Sequence, residues 1–302
     1  ELVGAFFIEG IGATGFIGSR FCREALSRGA RVIGLSRDAQ QAQKKLPGVE
    51  FVENLDALSP EQPIDYIVNL AGEPLVAGRW NDRRKQAFMD SRVGTTNRLF
   101  EHFQKASAPP SVLVSGSAVG YYGPHQDEPL GEDGAQHDCF ASRLCLEWEQ
   151  SASQFAALGT RICYLRTGIV LGAGGGALSR MLLPFRMGLG GRLGSGKQWM
   201  PWIHIADEVA IIFHCLEQST IQGAVNATAP NPVTNRQFTA ALGSALHRPT
   251  IFPMPESVAI LLFGEMAKEL LLTGQRACPR KLLESGYSFH FAELDKALGD
   301  IV

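Results

Sequence analysis

The sequence has no CxxC pair, no HExxH or other close ligand spacing of histidines, no long apolar run and no large excess of one charge, and each absence removes a class of function. The six cysteines (Cys22, Cys139, Cys145, Cys163, Cys215, Cys278) stand far apart, mostly among apolar neighbours. Buried free thiols are therefore expected, not a disulfide scaffold. The seven histidines find no cysteine couple to complete a zinc set, so no metal is expected. The longest later apolar run, Val258 to Phe263, falls far short of the roughly 20 residues a membrane helix needs. A formal net charge of -2 gives no overall field towards nucleic acid or an anionic membrane, and neither is an expected partner. Nothing basic precedes the short apolar run before Gly12, which leads straight into a motif and does not read as a signal peptide. These features together predict a cytoplasmic protein.

An apolar fraction of 45% and a charged fraction of 19% are those of a globular chain with ample core. Its 302 residues exceed the usual single domain. Short β-branched or apolar runs alternate with longer amphipathic stretches: Phe6 to Ile11, Ile17 to Arg28, Arg31 to Leu35, a helical or looped stretch, then Ile64 to Leu70. A long helix over about Asn81 to Lys105 follows, then Ser111 to Ser115, a helix from Ser142 to Leu158, and Arg161 to Leu165. That alternation is the mark of consecutive βαβ units and predicts an α/β fold with a doubly wound, mostly parallel sheet. The expected division is a Rossmann domain over 1–172, its sheet completed by segments near 200–230, and a smaller substrate-side part over 173–302.

The segment Gly12-Ala-Thr-Gly-Phe-Ile-Gly18 follows a candidate strand and opens a candidate helix. Gly12 then permits the tight turn, Gly15 the approach of a pyrophosphate and Gly18 close helix–strand packing, with the helix N-terminus facing the phosphates. An overlapping register, Gly10-x-Gly12-x-x-Gly15, also has dinucleotide spacing; the first is preferred because Phe16 and Ile17 then start the helix. The second strand ends in Leu35-Ser-Arg-Asp38, where an NAD site carries an acid for the ribose hydroxyl. Arg37, with Ser36 beside it, suits a 2′-phosphate instead. The alternative is a solvated Arg37 paired with Asp38.

These segments resemble the extended short-chain dehydrogenase/reductase superfamily and its epimerase-family branch. The likeness continues through Asn69-Leu-Ala-Gly-Glu-Pro74, Ser91-Arg92, Ser115-Gly-Ser-Ala-Val-Gly-Tyr-Tyr-Gly123, Arg166-Thr-Gly-Ile-Val-Leu-Gly172 and Trp202-Ile-His-Ile-Ala-Asp207. It extends to Gly274-Gln-Arg-Ala-Cys-Pro279, within a C-terminal module of unknown function over about 248–296. The resemblance implies NADP(H) as cofactor, with Gly12, Gly15, Phe16, Ile17 and Gly18 at the pyrophosphate and Ser36 and Arg37 at the 2′-phosphate. Leu70, Ala71 and Gly72 would line the adenosine and ribose path, with Arg92 and Ile169 near the cofactor. One departure is Glu9-Gly10-Ile11, where the family has an unbroken apolar strand; a buried Glu9 would be costly unless paired. The superfamily often forms homodimers, but no interface signature stands in this sequence.

Active members of the superfamily use a Tyr as acid/base, a Lys four residues on and a Ser on the substrate oxygen, which together stabilise and protonate an alkoxide. Ser117 takes the serine position. Aligned on the downstream acid Glu147, Cys139 stands for the Tyr and Arg143 for the Lys. Arg143 retains a positive charge for the nicotinamide ribose, whereas a thiol differs from a phenol in reach and proton affinity. Tyr121 or Tyr122 offers a substitute phenol, Tyr121 the more so, against ordinary packing of both rings. Trp202 and His204 are candidate substrate-side residues, with a structural histidine as the alternative. Arg186, Arg192 and Lys197 suit either an anionic substrate or plain solvent. Gly191 to Lys197 mimics a P-loop but lacks the Ser or Thr and the following helix. Gly172 to Gly176 reads as a mobile loop. Two functions follow: an NADP(H)-dependent oxidoreductase or epimerase-like enzyme for an unidentified small carbonyl or hydroxyl compound, or a non-catalytic NADP(H) sensor or scaffold without the dyad.

Overall fold

The computed structural model describes residues 5–8, 10–76 and 78–302, so the expectation for Glu9 lies outside the described residues. The first half runs β1 (Ala5–Ile8), a helical turn α1 (Gly10–Ala13), α2 (Phe16–Ser27), β2 (Arg31–Leu35), α3 (Ala39–Lys45), β3 (Glu50–Val52) and β4 (Tyr66–Asn69). The second runs α4 (Asp82–Met89), a π turn over Asp90–Gly94, α5 (Thr95–Phe103), β5 (Val112–Ala118), β6 (Pro129–Leu130), α6 (Phe140–Ser153) and β7 (Arg161–Thr167). Then come β8 (Ile169–Leu171), α7 (Gly176–Arg186), β9 (Trp199–Met200), β10 (Trp202–His204), α8 (Ile205–Glu217) and β11 (Gly223–Ala227). The tail carries β12 (Val233–Thr234), α9 (Asn235–Ala245), α10 (Glu256–Phe263), β13 (Arg276–Ala277), α11 (Arg280–Glu284) and α12 (Leu294–Ile301).

Seven strands pair in the order β11-β7-β5-β4-β1-β2-β3, all parallel. This is the doubly wound architecture expected from the alternation, and its order reverses between β1 and β4, where such sheets bind ligands at the carboxyl edge. Parallel strands covered on both sides carry apolar residues on both faces. In β5, Val112 and Val114 join the core under α2 and α8 with Phe21, Ile211 and Phe213. Leu113 points the other way, into the core with Leu99, Phe103 and Phe155. Three features depart from the sequence reading, the first being that the strand expected over Phe6 to Ile11 ends at Ile8, with Gly10–Ala13 helical. The short edge strand β3 lies inside the supposed helical or looped stretch, and the long helix of 81–105 is divided by the π turn at Asp90–Gly94.

The smaller part is built from paired fragments: β8 with β10, β9 with β12, and β13 with β6. The last pair ties the C-terminal segment to the loop following β5. Trp202, Leu178, Phe238, Leu242 and Leu298 are buried together in its core. A capping box starts α9, where the Thr234 hydroxyl takes the Gln237 amide and the Gln237 side chain returns to the Thr234 amide.

α8 is fastened to the sheet by a buried acid. Thr167 Oγ1 on β7 donates to Glu208 Oε1 at 2.8 Å, while Oε2 is buried with no partner among the described residues. Burial lifts this carboxyl from 4.5 to about 8. Because the folded value exceeds the unfolded one, the group's contribution to stability is intact below about pH 4.5 and is lost as pH rises through about 8. Glu208→Gln is therefore expected to raise the thermal midpoint by about 5 °C at pH 9 and to leave it nearly unchanged at pH 5. Melting curves across that range check this, and a pH-independent difference would contradict it.

Candidate active site

The glycine motif forms the start of α2 in the preferred register: α2 begins at Phe16 with Gly15 as its N-cap and no side chain capping it. The amides of the first turn are thereby left for an anion. A Cβ on Gly18 would lie 1.7 Å from the Gly12 carbonyl oxygen, so only glycine allows the helix to pack on the preceding turn. A Cβ on Gly12 would meet the Leu70 backbone at 3.0 Å. The motif is thus pressed against the end of β4. Phe16 is covered by the loop after β8, where a Cβ on Gly175 would come within 2.2 Å of its ring. The loop taken as mobile, Gly172 to Gly176, is a packed cover on the motif, pinned also by Arg20, which donates to the Ala173 carbonyl at 2.9 Å.

At the end of β2, Arg37 is exposed and lines a cavity of about 400 Å³ with Leu35, Asn54, Ala71, Thr95 and Arg98. Asp38 is not its counter-ion. The Asp38 carboxylate caps α3 by accepting from the Gln41 amide at 2.8 Å, and Arg37 has no ion-pair partner among the described residues. Ser36 turns its hydroxyl to the Asp38 carbonyl. Glu53, Asp56 and Glu101 also line this cavity, but Arg37 forms no ion pair with any of them among the described residues, and its guanidinium is suited to a phosphate monoester.

The end of β4 is shaped by Asn69, which is buried. Its Oδ1 accepts from the Ala71 amide and its Nδ2 donates to Thr96 Oγ1 at 2.9 Å, bending the chain so that Leu70, Ala71 and Gly72 border the motif and the cavity. Arg92 sits in the π turn. It donates to the Glu73 and Phe88 carbonyls, stacks on Trp148 and closes over Gly72, where a Cβ would lie 2.8 Å from its guanidinium carbon. Burial lowers its pKa to about 10. Arg92 thus braces the loop that follows β4.

Ser117 stands at the end of β5, opposite Arg166 of β7. It does not present a free hydroxyl. Its Oγ donates to Glu149 Oε1 at 2.7 Å, and Glu149 takes a two-pronged bond from Arg166 at 2.8 and 2.9 Å. Arg166 also donates to the Tyr122 hydroxyl and the Glu132 carbonyl. Tyr122 in turn donates to Asn226 Oδ1 at 2.6 Å, and burial pushes its phenol up to about 12. Glu132 accepts from the Asn226 and Lys281 amides. Sequence reading missed this buried network. Its one visible signal was Glu149 itself, two residues beyond the acid chosen as anchor.

The face of α6 turned to the sheet carries Ala141, Cys145, Trp148 and Glu149, all buried, whereas Arg143 and Glu147 face solvent. The structure does not bring Arg143 to Ser117: it is ion-paired with Asp138 at 2.6 Å on the outside. Counted from Glu149, the Tyr-Lys spacing lands on Ala141 and Cys145. A methyl group and a thiol, the latter raised by burial to about 12, stand where a phenol and an ammonium would work. Cys139 stands at the N-cap position of α6, without a capping hydrogen bond from its side chain. Tyr121 lies face-on to the Arg166 guanidinium at 3.4 Å, and its hydroxyl makes no hydrogen bond among the described residues.

Trp202 is fully buried, its indole nitrogen donating to the Asn231 carbonyl, so it is a core residue and not a wall of an open cleft. Ile169 pairs with it across β8 and β10. His204 N-caps α8, its Nδ1 accepting from the Ala206 amide. Its Nε2 lies 3.3 Å from Asp300 of α12, out of hydrogen-bond alignment. Burial lowers its pKa despite Asp300. Among the described residues no cluster could hold a metal ion, and no helix is long and apolar enough to cross a membrane.

A family model described as "NAD dependent epimerase/dehydratase family" matches residues 11–227, and one described as "Domain of unknown function (DUF1731)" matches 254–301. The human "Epimerase family protein SDR39U1" is 40% identical over 294 residues, covering 96% of this chain and 98% of the relative. The Bacillus subtilis "Epimerase family protein YfhF" is 36% identical over 296 residues, covering 96% of each. A crystal structure of human SDR39U1 with NADPH superimposes with a TM-score of 0.88 at 38% identity, covering 98% of both chains. With this fold, this glycine cradle and these relatives, the chain belongs to the NAD dependent epimerase/dehydratase family, in the branch that carries the DUF1731 module.

Proposed function

We propose that this chain binds NADP(H) and works as an NADP(H)-dependent oxidoreductase or epimerase-like enzyme on a small carbonyl or hydroxyl compound. The observation that carries the cofactor choice is the pair at the end of β2: Arg37 is free at the mouth of the cavity, while Asp38 is consumed in capping α3. The NADPH present in the human relative supports the same reading. The six free cysteines fit a reducing compartment such as the cytoplasm.

When bound, the nicotinamide supplies or takes up hydride. The first turn of α2 would hold the pyrophosphate, Arg37 and Ser36 the 2′-phosphate, and Leu70 to Gly72 the adenosine and ribose side. A serine hydroxyl has one proton and two lone pairs. Since Glu149 takes the Ser117 proton, Ser117 is fitted to accept from a substrate hydroxyl and to orient it. A separate group must then move the proton, and Tyr121, with its unbonded phenol, is the side chain assigned to that role. Arg143, on the outer face of α6, is given none. A second reading, an NADP(H) sensor, is favoured by one specific observation: Ala141 and Cys145 on the inner face of α6 leave the usual dyad absent.

Two outcomes follow. Arg37→Ala should weaken NADPH at least about tenfold, since a charge-assisted bond to phosphate is worth roughly 1.5–3 kcal/mol, and should leave NADH nearly unaffected; fluorescence titration measures both. Equal loss for the two nucleotides would remove the 2′-phosphate assignment. In a screen of alcohols and carbonyls, Tyr121→Phe should lower kcat by about 10²-fold or more with NADPH affinity retained, and Ser117→Ala should mainly raise KM. Tight nucleotide binding without turnover on any of them would establish the sensor instead.

A further inference from the structure

We infer that the substrate-side part carries a docking face for an anionic lipid bilayer, formed by α7, the paired segments 187–194 and 249–254, and α10. Ten large apolar side chains are exposed among the described residues, and eight of them lie here. The foremost are Leu183 and Met187 at 67% and 64% exposure, Ile251 at 70%, Phe252 and Leu262 at just over half, and Leu261 at 72%. They form one surface. The Phe252 amide donates to the Gly190 carbonyl, the Met254 amide to Arg192, and Gly194 to Met254, which lays the two segments side by side. α7 leads into the first segment and α10 follows the second. Of α10, Glu-Ser-Val-Ala-Ile-Leu-Leu-Phe, Ala259 is buried and Phe263 packs against the core with Trp80 and Phe88, while Val258, Leu261 and Leu262 stay exposed.

Charge selects the occupant. No Asp or Glu stands anywhere in 172–206 or 218–255, whereas Arg180, Arg186, Arg192, Lys197 and Arg248 do, and the face carries one acid, the exposed Glu256 at the start of α10. All five are exposed, and none is among the ion pairs of the described residues. Arg180, Arg192 and Arg248 give hydrogen bonds to backbone carbonyls, which leave their charge uncompensated. The net charge of -2 averages this basic face with an acidic remainder. Exposed apolar side chains among uncompensated basic ones match the apolar boundary and negative surface of an anionic leaflet. A second copy meeting face to face would oppose like charges. The face also borders the cofactor edge: Arg180 donates to the Val76 carbonyl, and Arg79 to that of Leu261, so α7 and α10 both touch the loop that begins at Leu70.

Vesicle flotation of the full chain tests this, with phosphatidylglycerol–phosphatidylcholine vesicles against phosphatidylcholine alone. The chain should float with the anionic vesicles only, and raised salt should release it. Phe252→Asp with Leu261→Asp, and separately Arg186→Glu, should each raise the lipid concentration for half-binding at least tenfold while NADPH titration stays unchanged. Leu283→Asp, an exposed apolar site elsewhere, should not. Failure to float, unaltered flotation of the variants, or a solution dimer that these substitutions dissolve would overturn the proposal. Since NADPH binding is read separately, failure here leaves the cofactor assignment standing, and the reverse.

Discussion

The buried ion pair between Arg166 and Glu149 is the contact on which the rest of this site depends. It joins β7 to α6, holds the Ser117 hydroxyl at the end of β5, and through Tyr122, Asn226 and Glu132 reaches the backbone of Lys281 in the C-terminal module. Both residues are less than a tenth exposed. Desolvating two charges is recovered only when the pairing is close and the remaining hydrogen-bonding capacity is filled. Here the guanidinium makes four hydrogen bonds, to Glu149, Tyr122 and Glu132, and the carboxylate accepts from two side chains. Removing either charge would strand the other at a cost of about 3–5 kcal/mol, so sheet, helix and module are held in one arrangement.

The same pair explains how far this site departs from its superfamily's usual chemistry. In the ordinary arrangement the inner face of the helix after β5 carries a phenol and an ammonium, and the serine is free to donate. In this chain that face offers Ala141, Cys145, Trp148 and Glu149, and it takes the serine proton. Arg166 supplies the cation that this buried carboxylate pairs with. With its proton given to Glu149, the Ser117 oxygen has only lone pairs left for a further hydrogen bond.

Features that are local in the chain were legible in the sequence. Gly12, Gly15 and Gly18 announce a turn and a helix start because their spacing encodes steric demands a few residues apart, and strands with apolar residues on both faces announce a parallel sheet. Arg37 could be weighed, but its freedom from Asp38 depended on whether Asp38 caps a helix, which α3 supplies. The error on α6 was one of phase. Glu147 and Glu149 are both acids at the right distance from the motif, and only the direction in which the helix rests on β5 separates them, a tertiary fact that moved the paired positions from Cys139 and Arg143 to Ala141 and Cys145. Ser117, Glu149, Arg166 and Asn226 lie on four elements, and no spacing rule joins them.

Trp202 and the Gly172 to Gly176 loop show the complementary limit. Glycine suggests mobility when read alone, yet Phe16 presses against Gly172, Gly175 and Gly176, with Ile205 also against Gly172, and only Gly174, at φ +79°, stands in open space. Absence of a side chain is here a packing requirement, and the loop's closeness to Phe16 couples the cofactor motif to the smaller part. Trp202 was read as a pocket residue because its segment resembles the substrate-side strand of extended family members, but Leu171, Leu178 and Phe238 are buried with it in one core. The smaller part therefore owes its shape to buried aromatics and close-packed glycines, while the basic and apolar side chains of α7, α10 and the segments between them stay outside.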